Sequence, residues 1–202
     1  MSAQELLNQA PFSPEQRVNA DIIVRQFVDA GMGEAIALAA VVNAYAESQL
    51  DPLVCFGRTP WGADRAFGPI GGQENSCGLF QLNAASGAAG EGMSVEQRQS
   101  AEANTARILA VAQGPSGASL RQARDDNAPL GRLIYLFTVD IERPADSASK
   151  GTERSEMARS WWGDLVDEPS GFLPTAPPAT NASLPFFLAL ASLVGAFLLV
   201  RR

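Results

Sequence analysis

The sequence EAIALAAVVNAYAESQLDP occupies Glu34–Pro52 of a 202-residue chain. Between Ala35 and Ala46 the only amide or charged side chain is Asn43, so the segment reads as a helix that is apolar all round and therefore buried. It falls well short of the ~20 residues needed to cross a bilayer, which makes it a core helix. The helix runs into a carboxylate, Glu47, followed by Ser48, Gln49 and the turn pair Asp51-Pro52. A carboxyl at the last turn of a buried helix faces the negative end of the helix dipole and lies partly out of water. Both effects favour keeping its proton, which is what a general acid requires.

Composition narrows the chemistry around that carboxyl. The chain contains no histidine and two cysteines, and carries a formal net charge of −7. Without histidine, the usual Ser-His-Asp and Cys-His nucleophile systems and the His-rich zinc sites are excluded. Two cysteines cannot build a thiolate metal cluster within one chain. The acidic balance offers no basic stripe for phosphates, so nucleic acid is not the expected partner. An enzyme of this composition works with carboxylates, hydroxyls and amides, and no cofactor or metal is expected.

Outward from Glu34–Pro52, the remaining segments are mostly helical. MSAQELLNQAPF lacks a basic n-region and a long apolar h-region, so residues 1–13 read as a lead rather than a signal peptide. Ser13, Pro14 and Gln16 form a helix start with a capping box, and a helix to about Ala30 follows. From Asp51 to Cys77 the periodicity is lost in a long Gly- and Pro-rich loop that carries Trp61, Asp64, Phe67 and Glu74. Cys55 and Cys77 flank that loop. A disulfide between them would stabilise by roughly 3 kcal/mol on chain-entropy grounds, and two free buried thiols are the alternative. SCGLFQLN, Ser76–Asn83, is a short alternating stretch, either a strand edge or an extended turn. Helices are expected over Ser94–Gln113, with a second capping box from Ser94 and Gln97, over Pro129–Ile141, and over Glu153–Val166.

Beyond residue 168 the composition changes. Residues 169–183 form a Pro/Ala/Thr/Ser linker. Residues 184–200, LPFFLALASLVGAFLLV, carry no charge and would span roughly 25 Å as a helix. Closed by the basic tail Arg201-Arg202, this segment reads as a single-pass C-terminal anchor in a virion membrane or a host inner membrane, with lipid as its partner. The terminal arginines favour the cytoplasmic side and so place residues 14–168 outside, whereas the N-terminus offers no export signal. The two indications oppose each other.

Three stretches together resemble the lysozyme-like glycosidases, particularly the phage-tail lysozyme family and, more distantly, soluble lytic transglycosylases and goose-type lysozymes. NAYAESQLDP looks like the helix end that carries the catalytic glutamate. SCGLFQLN is similar to the segment that lines the cleft opposite it. LIYLFTVDIERP with the downstream Arg154 and Ala158 resembles the pattern near the end of phage-tail lysozymes, and AEANTARIL is similar to the Asn-bearing helix after the cleft in transglycosylases.

The resemblance implies a mainly α, two-lobed domain over residues 14–168 with a long irregular loop, and a cleft for peptidoglycan glycan strands. It implies that Glu47 protonates the glycosidic oxygen, that Ser48 holds that carboxyl or the sugar, and that Gln81 and Asn83 donate across the cleft. Tyr135 or Phe137 would form the wall beneath the bond, while Glu142 and Arg154 read as a structural ion pair. Hydrolysing glycosidases usually need a second carboxylate. Goose-type enzymes carry an aspartate where this chain has Asn83, which leaves Glu74 and Asp64 as candidates. Without either, one acid suffices in the manner of a transglycosylase.

The expectation is thus a membrane-anchored peptidoglycan-degrading enzyme, associated with a phage virion and with other virion proteins as possible partners. A catalytically silent glycan-binding or structural protein on the same fold, and a bacterial wall-remodelling enzyme, are the alternatives.

Overall fold

The computed structural model describes residues 1–55, 76–143 and 146–169. Asp64, Glu74, Trp61, Phe67, the linker beyond residue 169 and the apolar segment 184–200 lie outside the described residues.

Within them the protein is mainly helical, with eight α-helices and one short hairpin. In order, these are α1 (Ala3–Gln9), α2 (Pro14–Asp29), α3 (Glu34–Ser48), β1 (Ser76–Cys77), β2 (Leu82–Asn83), α4 (Val95–Gln99), α5 (Ala101–Gln113), α6 (Ala118–Asp125), α7 (Leu130–Leu136) and α8 (Ser147–Trp162). Among the described residues no helix is long and apolar enough to cross a membrane.

The Glu34–Ser48 helix is the centre of the packing. It lies chiefly against α2 and α7, with α1, α6 and α8 also in contact. Ile36, Leu38, Val41 and Val42 are fully buried, and each contributes about 1.5–3 kcal/mol relative to exposure. A helix surrounded on all sides has no need of a polar face, which is why its sequence lacks one. It stops at Gln49, in the left-handed conformation at φ 54°, whose N–H reaches Tyr45 O at 2.7 Å.

The expected capping boxes form at Ser13/Gln16 and Ser94/Gln97, where each glutamine side chain returns to the capping residue's N–H at 2.7 and 2.8 Å. Several boundaries differ from expectation. Residues 1–13 are no mere lead: they contain α1, whose Leu6 and Leu7 enter the core, and Trp162 Nε1 donates to Leu6 O at 2.9 Å. Ser94–Gln113 is two helices, divided at Ser100, whose extended backbone and hydroxyl cap α5 through Ala103 N. The Pro129–Ile141 helix changes after Leu136 into a π-helical stretch, Phe137–Glu142. The last helix begins earlier than Glu153, at Ser147.

SCGLFQLN is a hairpin rather than a single extended run. Ser76 pairs with Asn83 and Cys77 with Leu82, and the turn Gly78–Gln81 lies between. Cys55 and Cys77 form a disulfide, so the alternative of free thiols is set aside. The bridge and the Gly78 N to Val54 O hydrogen bond, 2.8 Å, tie this hairpin to the chain leaving α3.

Candidate active site at the end of the buried helix

Glu47 sits in the last turn of α3, four residues after Asn43, so both side chains project from one face of the helix. Glu47 is not the solitary carboxyl that its helix position suggests. Arg154 of α8 donates through Nη2 to Glu47 Oε1 and through Nη1 to both Glu142 Oε2 and Asn43 Oδ1. Glu47 keeps 23% of its side-chain surface exposed, while Arg154 and Glu142 keep 4% and 5%. The cluster therefore has a wet end at Glu47 and a dry end at Glu142. Among the described residues Glu47 Oε2 makes no hydrogen bond, so the carboxyl is anchored by one oxygen and open through the other.

Asn43 is fixed as the hub. Its Nδ2 donates to Ala39 O at 2.8 Å, and its Oδ1 also accepts from Thr138 Oγ1 at 2.7 Å. Thr138 and Glu142 both belong to the π-helical stretch, where the wider turn changes which side chains face α3 and α8. Burial pushes the Glu142 carboxyl up to about 7, against the pull of Arg154, and the charge of Glu47 pushes it in the same upward direction. Glu142 Oε1 is buried without a hydrogen-bond partner. The ion pair expected between Glu142 and Arg154 is present. The sequence did not reveal that the same arginine also holds Glu47. The available signals were Asn43, one amide in an apolar helix, and its spacing from Glu47.

The substrate-binding candidates fare unevenly. Ser48 is 2% exposed, and its hydroxyl lies 3.0 Å from both Ala44 O and Leu79 O. It therefore fastens the hairpin turn to α3, and touches neither the Glu47 carboxyl nor an open surface. Gln81 Nε2 donates to Val54 O and Gly78 O, each at 2.9 Å, and holds the turn together from a left-handed backbone at φ 44°. Asn83 Oδ1 accepts from Ala85 N at 2.8 Å in a local turn, and its Nδ2 lies 3.3 Å from Ser76 Oγ. Among the described residues these amide contacts serve the hairpin and its turn.

Phe137 is fully buried between Phe27 and Phe80, with ring centroids 6.0 and 6.1 Å away, so it is core and not a cleft wall. Tyr135 is half-buried over Gly151, where an added Cβ would come within 2.7 Å of the ring, and the Arg132 guanidinium lies 5.2 Å from the ring centroid. It rests on α8 one turn before Arg154.

Asn104 of α5 completes the support. It accepts from Phe80 N at 3.1 Å and donates to Cys77 O and Arg98 O at 3.2 and 2.7 Å. The Asn-bearing helix thus acts as a buried clamp on the Cys77–Phe80 backbone. Gly78 is required beneath it, because a Cβ there would lie 1.9 Å from Arg98 O.

The two candidate second carboxylates, Glu74 and Asp64, lie outside the described residues. Among the described residues no group of three or more Cys, Asp or Glu side chains converges in a way that could hold a metal ion. In comparisons with protein-family models, known proteins and solved structures, nothing matches this chain.

Proposed function

We propose that this chain is a peptidoglycan-cleaving glycosidase, a muramidase or lytic transglycosylase on a two-lobed lysozyme-like fold, with Glu47 as general acid. The observation that carries this reading is the anchoring of Glu47. Oε1 is fixed by a buried arginine, while Oε2 is open at the end of a rigid core helix. A proton on Oε2 can be delivered to a glycosidic oxygen, and Arg154 then stabilises the carboxylate left behind. The Ser48–Leu79 hydrogen bond and the Asn104 clamp support the reading by fixing the hairpin turn beside that helix end.

The cleavage step breaks the bond between the anomeric carbon and the leaving oxygen as Glu47 donates its proton. Water, or a hydroxyl of the substrate's own sugar, then bonds to the anomeric carbon and gives up its proton to the Glu47 carboxylate, which restores the acid. Residues 184–200 would tether this activity to a membrane, in keeping with local opening of a wall by a virion.

A second reading is favoured by the same arginine, which satisfies Glu47 internally. In that reading the cluster is a structural ion triad, and the domain binds glycan strands or virion partners without turnover.

The test is the full chain, wild type beside Glu47→Gln, incubated with purified peptidoglycan and followed by mass spectrometry. Products with reducing ends identify a hydrolase, and products lighter by one water identify a transglycosylase. Either must vanish in the variant. Retention of glycan by an inactive wild type would select the second reading.

A further inference from the structure

The last turn of α3 brings three consecutive side chains to the surface. Ala46 is exposed, while Tyr45 and Glu47, each turned about 100° from it, are half-buried on either side. Both flanks rest on α8. Glu47 is held by Arg154. Tyr45 meets Trp161 nearly perpendicularly, with ring centroids 5.0 Å apart, and stacks on Phe12 at 5.4 Å. Along α8, Arg154, Met157 and Trp161 follow one another at helical spacing, and Met157 and Trp161 are only partly buried. Trp161 lies seven positions after Arg154, a rise of about 10 Å. The carboxyl and the ring cluster are thus two ends of one surface along the α3–α8 seam.

The polar tips of these rings are treated differently. Trp162 is buried, and its Nε1 donates to Leu6 O. Trp161 Nε1 and Tyr45 Oη make no hydrogen bond among the described residues, and both atoms reach solvent. Phe or Leu would serve packing alone at either position. A Tyr and a Trp with wet tips suit a ligand that is apolar on its flat face and hydroxylated at its rim. A pyranose ring has that character.

We infer that Tyr45 and Trp161 form a sugar-binding subsite, which holds one ring of a β-1,4-linked amino-sugar strand a disaccharide repeat away from the bond that Glu47 acts on. The inference rests on the glycan reading proposed above and deepens it by placing a second point of contact for the strand. The sugar face packs on the exposed part of the rings, Trp161 Nε1 donates to the sugar, and Tyr45 Oη exchanges a hydrogen bond with its rim. Phe12 and Trp162 hold the two rings in place, with Trp161 5.2 and 5.5 Å from them. Little side-chain freedom is therefore lost when the sugar binds. A strand gripped there lies along the seam, and Glu47 meets the linkage at the other end.

The test is calorimetric titration of the full chain carrying Glu47→Gln, which leaves the probe, tetra-N-acetylchitotetraose, intact. The probe is expected to bind, and adding Trp161→Leu to weaken it by about tenfold, through loss of an aromatic contact. Tyr45→Phe and Trp161→Phe keep the packing and remove only the wet tips. Each is expected to weaken binding by about threefold with the melting temperature unchanged. These two keep the test decisive where Trp161→Leu fails to fold. Equal binding in all four proteins overturns the subsite. So does a parent that takes no chitotetraose, the result expected of a patch that serves a protein partner. Cleavage of peptidoglycan by wild type is scored separately. Cleavage without any effect of Tyr45 or Trp161 on sugar binding overturns the subsite and leaves the glycosidase reading standing. Sugar binding that depends on both residues, in a wild type that cleaves nothing, supports the subsite and sinks the glycosidase reading.

Discussion

Thr138 Oγ1 donates to Asn43 Oδ1 over 2.7 Å, and both side chains are wholly buried. The same Asn43 oxygen accepts from Arg154, so one amide joins α3, the π-helical stretch and α8. Thr138→Val removes one donor and nearly preserves shape, and should lower stability by about 1 kcal/mol. Asn43→Leu removes the hub and the bonds it accepts from both Arg154 and Thr138, which keep Glu142 Oε2 and Ile134 O as acceptors, for a loss of about 2–3 kcal/mol. Urea denaturation of both variants checks the order. A Thr138→Val loss equal to that of Asn43→Leu would show that Asn43 is not the hub.

Arg154 is the cation on which both carboxylates depend. Arg154→Met strands Glu142 in a dry site, and breaking a buried pair from one side costs on the order of 3–5 kcal/mol. Adding Glu142→Gln to that variant removes the charge stranded in the dry site and should restore part of the loss, because the carboxylate that remains, Glu47, keeps access to water. Glu47→Gln is different: the residue it changes is partly exposed, and Arg154 keeps Glu142 as partner. Its melting temperature should stay within a few degrees of wild type, in keeping with a loss of about 1 kcal/mol or less. A large loss of fold in Glu47→Gln would sink the assignment of Glu47 as a chemical rather than a structural group.

The helical class and the central helix were legible because an unbroken apolar run has one economical explanation, complete burial. The capping boxes at Ser13 and Ser94 were legible because they are local, complete within four residues. The contacts of Ser48, Gln81 and Phe137 were not, because each depends on what lies across space. Ser48 finds Leu79, Gln81 finds Val54, and Phe137 finds Phe27 and Phe80. Arg154 lies 107 positions from Glu47, and no spacing rule on one helix relates the two. Beside the Glu142–Arg154 pair, Asn43 was the visible trace of the network. A buried helix tolerates an amide only where partners exist, so an isolated Asn in such a run marks a polar contact with another element.

Gly78 carries the close approach between the hairpin and α5. It stands at φ 88°, and an added Cβ would lie 1.9 Å from Arg98 O and 2.2 Å from Asn104 Nδ2. Gly78→Ala combines backbone strain with overpacking and should lower stability by about 2–4 kcal/mol. Thermal denaturation measures it. The Glu47–Arg154 pair is held by other elements, so a variant that still folds should keep the raised titration of Glu142.

The Cys55–Cys77 disulfide closes a loop with a sequence separation of 22. Reduction should remove roughly 3 kcal/mol by releasing the unfolded chain from that constraint. A Cys55→Ser, Cys77→Ser double variant should melt like the reduced wild type and be indifferent to reductant. Wild type whose melting does not respond to reductant would show that the bridge adds nothing to the fold.

Glu142 also predicts how stability depends on pH. Its folded-state value, about 7, lies above the ordinary carboxyl value of 4.5. Between these two values the folded chain holds a proton that the unfolded chain has released. Stability from this group is therefore fully present below about 4.5, and is lost as pH rises towards 7. The slope for one group is bounded at about 1.4 kcal/mol per pH unit, and sharing Arg154 with Glu47 makes the real slope smaller. Glu142→Gln has no such proton to lose, so its stability curve should be flatter than that of wild type across this window. Denaturant titrations at intervals from pH 4 to pH 8 check this. Parallel curves for the two proteins would mean that Glu142 titrates alike in the folded and unfolded chain, without the upward push of burial.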